Sequence, residues 1–474
     1  MLKKLIKFSA SYTFIEGIQK GIVFFITPII TRYMSSEEYG IVATILMLIP
    51  FYIVFFSLSI HSAIARYYFK YKNSSVELRN FLGTSIILIA LVSFSISIFL
   101  YLIGKPFFTY FLPSIQFSPY IVYSLIIASS QVIVIAYFSL LKSMQKLKLY
   151  IWIFNLYFST QITLILYLVI ILKLNAYGYI LSLVISNVAF MLIVLVLIKK
   201  DINLCLKTKY IKEILSYSLP IIPVDGIGLV SSLADRYYLL KFVGLSSVGV
   251  YFVGYQLALV ISLINRAINS AYVPIFFNRY ESDNNYYDDL YRIGEYFVYF
   301  SGFLALFSSI AAPDLIYLLF DESYYKASEV IVYLNFSFSL TSIYFLNTNV
   351  LSLEAEYIKL KTIGIIVGAI ITVLLSYYLT KYYALVGASV STLIGFFITT
   401  LILIMIVRLK TDFKFKNLKS IIFLISCFSI SEIALLFNKV YYSMLIGILL
   451  FIITMALFEY KVLLRRLNGN FNIK

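Results

Sequence analysis

Runs of about twenty apolar residues recur along almost the whole chain, and this recurrence limits the fold more than any other feature. A helix rising 1.5 Å per residue needs about 20 mostly apolar residues to cross a hydrocarbon slab about 30 Å thick. Such segments lie near 10–31, 40–62, 81–103, 119–141, 150–172, 178–198, 215–240 and 248–270. Six more lie near 293–320, 330–353, 362–380, 385–407, 419–437 and 442–460, so fourteen spans are expected. Only 13% of the residues are charged, against about 25% in a typical soluble domain. That is too little charge to coat soluble domains or to keep a chain disordered. An outer-membrane barrel would alternate polar and apolar residues along each strand, which these runs do not. The chain reads as an all-α polytopic membrane protein.

Lys and Arg in the short loops set the orientation. With fourteen spans, 28 of the 38 basic residues fall on the side of the two termini, 7 on the other and 3 within helices. Both termini are therefore expected in the cytoplasm, and most of the net charge of +16 is topological. The first segment carries Glu16 and Lys20 and has no cleavage pattern, so it reads as a spanning helix and not a signal peptide. A basic inner face favours anionic lipid. The same charges, scattered over short segments, argue against nucleic acid. Cys205 and Cys427 form no disulfide framework, and His61, the one histidine, leaves no His-based zinc site or Ser-His-Asp triad. No cofactor is expected.

The chain matches itself at an offset of 209 residues. Glu16-Gly17-Ile18 falls on Asp225-Gly226-Ile227, Arg32-Tyr33 on Lys241-Phe242, Gly40 on Gly249, Gly178 on Gly387 and Ser182 on Ser391. Six spans separate the matched positions, so the two halves enter the membrane from the same side and form a parallel repeat. The expected architecture is two six-helix lobes, 1–200 and 201–410, around a central cavity. Residues 411–474 add two further helices and a tail. Such a design suits alternating access, and no loop is long enough to fold into a catalytic domain.

The residues around these matches carry a resemblance. A basic N-terminal helix runs into Thr27-Pro28-Ile29-Ile30-Thr31-Arg32-Tyr33 and then Glu38-Tyr39-Gly40. The second helix ends in Ala63-Ile64-Ala65-Arg66-Tyr67-Tyr68. The seventh opens Ser216-Tyr217-Ser218-Leu219-Pro220 and closes Asp235-Arg236-Tyr237, followed by Val248-Gly249-Val250-Tyr251. Together they resemble the Wzx-type polysaccharide and O-antigen flippases of the multidrug/oligosaccharidyl-lipid/polysaccharide (MOP) superfamily. The resemblance implies a transporter, not an enzyme, moving an undecaprenyl-diphosphate-linked oligosaccharide from the cytoplasmic to the outer leaflet. It would act in the bacterial inner membrane in O-antigen, capsule or exopolysaccharide synthesis. A polysaccharide polymerase and chain-length machinery are the implied partners, and the protein is expected to be a monomer.

Ionisable residues within spans are costly and mark candidate sites. Glu16 and Lys20 lie one helical turn apart, either as an internal ion pair or as a coupling carboxylate beside a phosphate-binding cation. Asp225, Asp235 and Arg236 lie on helix 7. Asp225 matches Glu16 across the repeat and serves either cation coupling or the opened backbone near Pro220 and Pro223. Asp235, a second coupling candidate, and Arg236 either pair with neighbouring helices or face substrate. On helix 8, Tyr255, Ser262, Arg266 and Asn269 form a polar stripe with Asn265 beside it. Arg266 is the leading diphosphate ligand, because a guanidinium fork fits phosphate oxygens. The alternative for the stripe is an interhelical hydrogen-bond seam. Asn335, Ser339, Ser342 and Asn349 on helix 10 line a sugar path or simply pack. Arg66 completes the substrate set, with interfacial snorkelling as its alternative. Two other functions compete: a multidrug/cation antiporter on the same fold, which wants an acidic lumen, and a polysaccharide polymerase, which wants a long outward loop.

Overall fold

The computed structural model describes residues 17, 21–282, 287–413, 415–436, 445 and 447–454. Among them every regular element is helical, as the apolar runs predict. Eleven helices are long and apolar enough to cross a membrane, and Gly21–Thr31 (α1) is a shorter apolar one. Residues 10–16 and 18–20 of the first expected span, and 442–444, 446 and 455–460 of the last, lie outside the described residues. The 55-residue stretch Glu356–Lys410 covers the expected spans 362–380 and 385–407. It reverses at Ala384, whose φ of 48° breaks the helix without a loop.

The chain divides into two compact units, one ending at Phe252 and the other beginning at Val253. The first contains α2 (Ser36–Ser57), α3 (Ile60–Tyr71), α4 (Ser75–Phe111), α5 (Val122–Ser143), α6 (Leu147–Leu166) and α7 (Asn175–Ile198). It also holds α8 (Thr208–Ser218) and α9 (Ile222–Phe242), which the repeat assigns to the second half. A one-turn 3₁₀ segment over Leu219–Ile221 separates α8 from α9, so the expected helix 215–240 is two pieces. Pro220 and Pro223 cause this, since neither donates to the helix ladder. The second unit contains most of α10 (Leu245–Ser282), then α11 (Tyr287–Leu319), α12 (Ala327–Ser339), α13 (Thr341–Val350), α14 (Ala355–Lys410) and α15 (Asn417–Leu435).

Each unit is built around the fourth helix of its repeat. The span containing α5 has 72% of its apolar window buried, and α12–α13 has 78%, whereas α4 has 17%. Small residues explain the choice: Ser124, Ala128, Ser129, Ser130 and Ala136 let neighbouring backbones approach α5. The outer face of α4 instead shows Leu91, Ile98, Phe99 and Leu102, which suit lipid chains.

The repeat is visible in detail. Asn175 and Ala384, 209 apart, both have a φ of 48° at tight reversals between consecutive helices. Gly40 and Gly249, also 209 apart, sit in a reciprocal contact. A Cβ on Gly40 would lie 2.0 Å from the Leu245 carbonyl oxygen, and one on Gly249 would lie 2.0 Å from that of Ser36. Because 36 and 245 are themselves offset by 209, the contact has local two-fold character. The Ser36 and Ser246 hydroxyls meet beside it at 2.7 Å. Any side chain at either glycine must drive α2 and α10 apart. Gly40→Val is therefore expected to cost about 1–3 kcal/mol, the usual range for overpacking. A lowered thermal midpoint in detergent would register it, and an unchanged one would refute this contact.

Candidate functional site

One group of polar residues in the first unit gathers at a break between two of its helices. α2 and α3 would form one helix but for Leu58 (φ 45°) and Ser59 (φ 51°), both left-handed. Ser59 is fully buried, and its hydroxyl donates to Asp225 Oδ2 of α9 at 3.0 Å. The rest of the Asp225 side chain is exposed. This carboxylate thus serves the break in another helix, not its own backbone beside Pro220 and Pro223. His61 follows the break and interacts electrostatically with Asp225. Ser139 of α5 donates to the His61 carbonyl at 2.7 Å, tying the start of α3 to the central helix.

Arg66, one of the expected substrate ligands, is exposed and lies 4.6 Å over the ring of Tyr217 on α8. Next to it, Glu213 accepts from Lys70 Nζ at 2.9 Å and from the Tyr71 hydroxyl at 2.6 Å. The Glu213 hydrogen bond raises the Lys70 pKa. Burial, then the same carboxylate, pushes the Tyr71 phenol up to about 12. Tyr210, Ile214 and Ser218 form the buried face of α8, at a four-residue spacing. The connector before α8 is also pinned: Asn203 donates to Asn80 Oδ1 at 3.1 Å, and the Cys205 carbonyl accepts from Thr84 at 2.9 Å. Glu213 and Ser59 did not stand out in the sequence. The period of α8 could have revealed Glu213, whereas nothing around Ser59 marks a break.

Asp235 and Arg236 are both buried, at 3% and 7% exposure. Asp235 accepts from the Tyr251 hydroxyl and from the Arg236 backbone N–H. The Arg236 guanidinium lies 5.1 Å over the Phe252 ring. The structure therefore places this pair in the interior of the first unit, tied to the start of α10.

In the second unit the helix 8 stripe divides into two environments. Asn265 has no exposed surface, and its amide donates to Ser301 at 2.8 Å and to Phe338 O and Thr341 at 3.0 Å each. These bonds satisfy the backbone where α12 gives way to α13. Asn269 accepts from Asn349 at 2.8 Å, and Asn335 donates to Ser309 at 3.0 Å. Ser339 and Ser342 are fully buried. These residues form an interhelical seam. Arg266, one position and therefore about 100° on from Asn265, lies on the other side and is exposed. Its exposed neighbours on α10 are Ala267, Ser270, Ala271, Ile275, Asn278 and Tyr280. The nearest three are small, and the two bulky ones, Ile275 and Tyr280, lie more than two turns away. Tyr344 of α13 interacts electrostatically with Arg266. Glu16 and Lys20 lie outside the described residues.

The model of a family described as "Polysaccharide biosynthesis protein" matches residues 5–279. An uncharacterized membrane protein of Haemophilus influenzae is 25% identical over 306 residues, covering 61% of this chain and 69% of its own. Among solved structures, the lipid II flippase MurJ in an inward closed conformation is similar, with a TM-score of 0.71 at 16% identity. That likeness covers 97% of this chain and 100% of the other. An inward-facing multidrug resistance transporter of the MATE family, in the MOP superfamily, gives 0.63 at 15% identity. It covers 83% of this chain and 95% of its own. At these identities the structures speak to the fold.

Proposed function

The chain belongs to the polysaccharide biosynthesis protein family, and we propose that it flips an undecaprenyl-diphosphate-linked oligosaccharide across the membrane by alternating access. The direction is from the cytoplasmic to the outer leaflet of the bacterial cytoplasmic membrane, with both termini inside. A polysaccharide polymerase and chain-length machinery would take up the product for O-antigen, capsule or exopolysaccharide, and the flippase would act as a monomer.

The observation that carries this reading is Arg266 on an exposed face of α10 whose nearest exposed neighbours, Ala267, Ser270 and Ala271, are small. A cation on a lipid-facing surface is costly, so such a face suits a hydrated path. A diphosphate cannot enter hydrocarbon bare, because desolvating each charge costs several kcal/mol. A guanidinium in the path replaces part of the lost hydration with charge-assisted hydrogen bonds. Tyr344, which interacts electrostatically with Arg266, offers an aromatic ring and a hydroxyl to a sugar next to the diphosphate. Arg66 lies at a second exposed position on α3, suited to early capture of a headgroup.

The fold likeness to a MATE transporter and the exposed Asp225 carboxylate favour the second reading, a multidrug/cation antiporter. Proteoliposomes separate the two. The protein should speed translocation of a fluorescent polyprenyl-diphosphate oligosaccharide and leave a cationic dye in place. Dye export without headgroup translocation would replace the flippase with the antiporter.

A further inference from the structure

α14 reverses at Ala384, and its two ends return to line one cavity with the end of α10. The cavity measures about 390 Å³, inside the range of about 300–1,000 Å³ for small-ligand sites. Tyr280 lines it from α10, Glu354 and Tyr357 from the start of α14, and Arg408, Lys410 and Asp412 from the far end of α14. Packing fixes its wall. Thr411 is extended (φ −136°, ψ 159°), and its hydroxyl donates to Val407 O at 2.8 Å. The ring of Phe413, a residue 6% exposed, then centres 5.5 Å from that of Phe276 on α10 and 6.0 Å from that of Tyr280. The charges around the cavity do not neutralise one another in pairs. Among the described residues, ion pairs join Lys70 to Glu213, Lys209 to Glu77, and both Lys416 and Lys419 to Glu295. Glu354, Arg408, Lys410 and Asp412 form none among those residues. Glu354, at the N-cap of α14, makes no side-chain capping bond either. Two cations and two carboxylates thus line one space.

We infer that this cavity binds the headgroup of a zwitterionic phospholipid that carries a phosphodiester and a primary ammonium, as phosphatidylethanolamine does. Glu354 and Asp412 repel a plain dianion, and Arg408 and Lys410 repel a plain cation, so a ligand bearing both signs fits the lining best. Arg408 and Lys410 hold the phosphate through charge-assisted hydrogen bonds. Glu354 and Asp412 accept from the ammonium, and the Tyr280 and Tyr357 rings offer it their faces. A quaternary ammonium has no N–H to donate, which is why the primary amine is preferred. Two observations select a lipid over a soluble zwitterion. Arg408 directly follows the apolar run 385–407, so the cavity lies where hydrocarbon gives way to headgroups. Leu401, Met405 and Leu409, four residues apart and all exposed, run along α14 toward the cavity, and Leu409 is part of its wall. That stripe gives an acyl chain a track. A lipid seated there joins the end of α10 to both ends of α14 and stabilises the second unit. The site is separate from Arg266 and does not depend on the substrate proposed above.

Native mass spectrometry of the full chain in detergent tests it, with phosphatidylethanolamine, phosphatidylcholine and phosphatidylglycerol of identical acyl chains as probes. The first phosphatidylethanolamine should bind about tenfold more tightly than either of the others, the change expected from one hydrogen bond to a charged group. Glu354→Gln with Asp412→Asn should abolish that preference and leave phosphatidylglycerol binding no weaker. Arg408→Gln with Lys410→Gln should weaken both lipids together. Phosphatidylethanolamine should raise the thermal midpoint of the wild type and of neither double variant. All four side chains are exposed, so the lipid-free midpoints should match; Asp412→Asn alone, expected to narrow the preference, keeps the test open if a double variant fails to fold. Equal binding of the three lipids by the wild type, or a preference that survives both double variants, would overturn the inference. So would glycerophosphoethanolamine, the headgroup without its chains, binding as tightly as the lipid. No oligosaccharide is present in these measurements, so their outcome is independent of the flippase reading.

Discussion

Arg266→Gln is expected to slow headgroup translocation about 10- to 100-fold at matched protein density, while the thermal midpoint stays where it was. The first half follows from the strength of hydrogen bonds to charged groups, about 1.5–3 kcal/mol, and from the tenfold rate change that 1.36 kcal/mol makes. The second half follows from exposure, since a change on an open face away from the packing seam alters stability by about 0.5 kcal/mol or less. Arg266→Lys should fall between the two, because the charge persists but the planar fork that grips two phosphate oxygens does not. Asn265→Ala gives the opposite pattern. It takes the amide donor from the Ser301 and Thr341 hydroxyls and leaves Phe338 O with the Thr341 hydroxyl alone, so stability drops whether or not transport is measured. A flipping rate untouched by Arg266→Gln would remove this residue from the substrate path.

The contrast between two adjacent residues shows where sequence reading stops. Hydropathy makes the spans legible because each must satisfy the same length and the same solvent. The break in helix 7 is legible too, in Pro220 and Pro223. The offset of 209 places Gly40 on Gly249, but their mutual contact is a tertiary fact. Asn265 and Arg266 are both polar residues in an apolar helix, and periodicity alone cannot say which face packs. Here the second unit decides: its central helix needs a donor where α12 meets α13, and Asn265 supplies it. The break at Leu58 and Ser59 is the least legible feature. The local sequence contains neither Gly nor Pro, and the partner that holds it is 166 residues away.

Asp235→Ala is expected to be the most destabilising single change in the first unit, by about 3–5 kcal/mol, the range for stripping one partner from a buried charge. Asp235 is 3% exposed and accepts from both Tyr251 and the Arg236 backbone. Its loss leaves a guanidinium, itself 7% exposed, in the interior without the neighbouring carboxylate. Tyr251, fully buried, loses the acceptor of its hydroxyl as well. Asp235→Asn should cost less, because an amide oxygen still accepts from Tyr251. The double change Asp235→Asn with Arg236→Gln should recover part of the loss, since it removes both charges together; a double-mutant cycle on thermal midpoints reads the coupling. A ligand role for either residue predicts the reverse: near-normal stability in the single variants and a transport defect that the double variant does not repair. Additive midpoints with intact stability would return Asp235 and Arg236 to the functional set. A strong positive coupling would fix them as the internal brace between α9 and the start of α10.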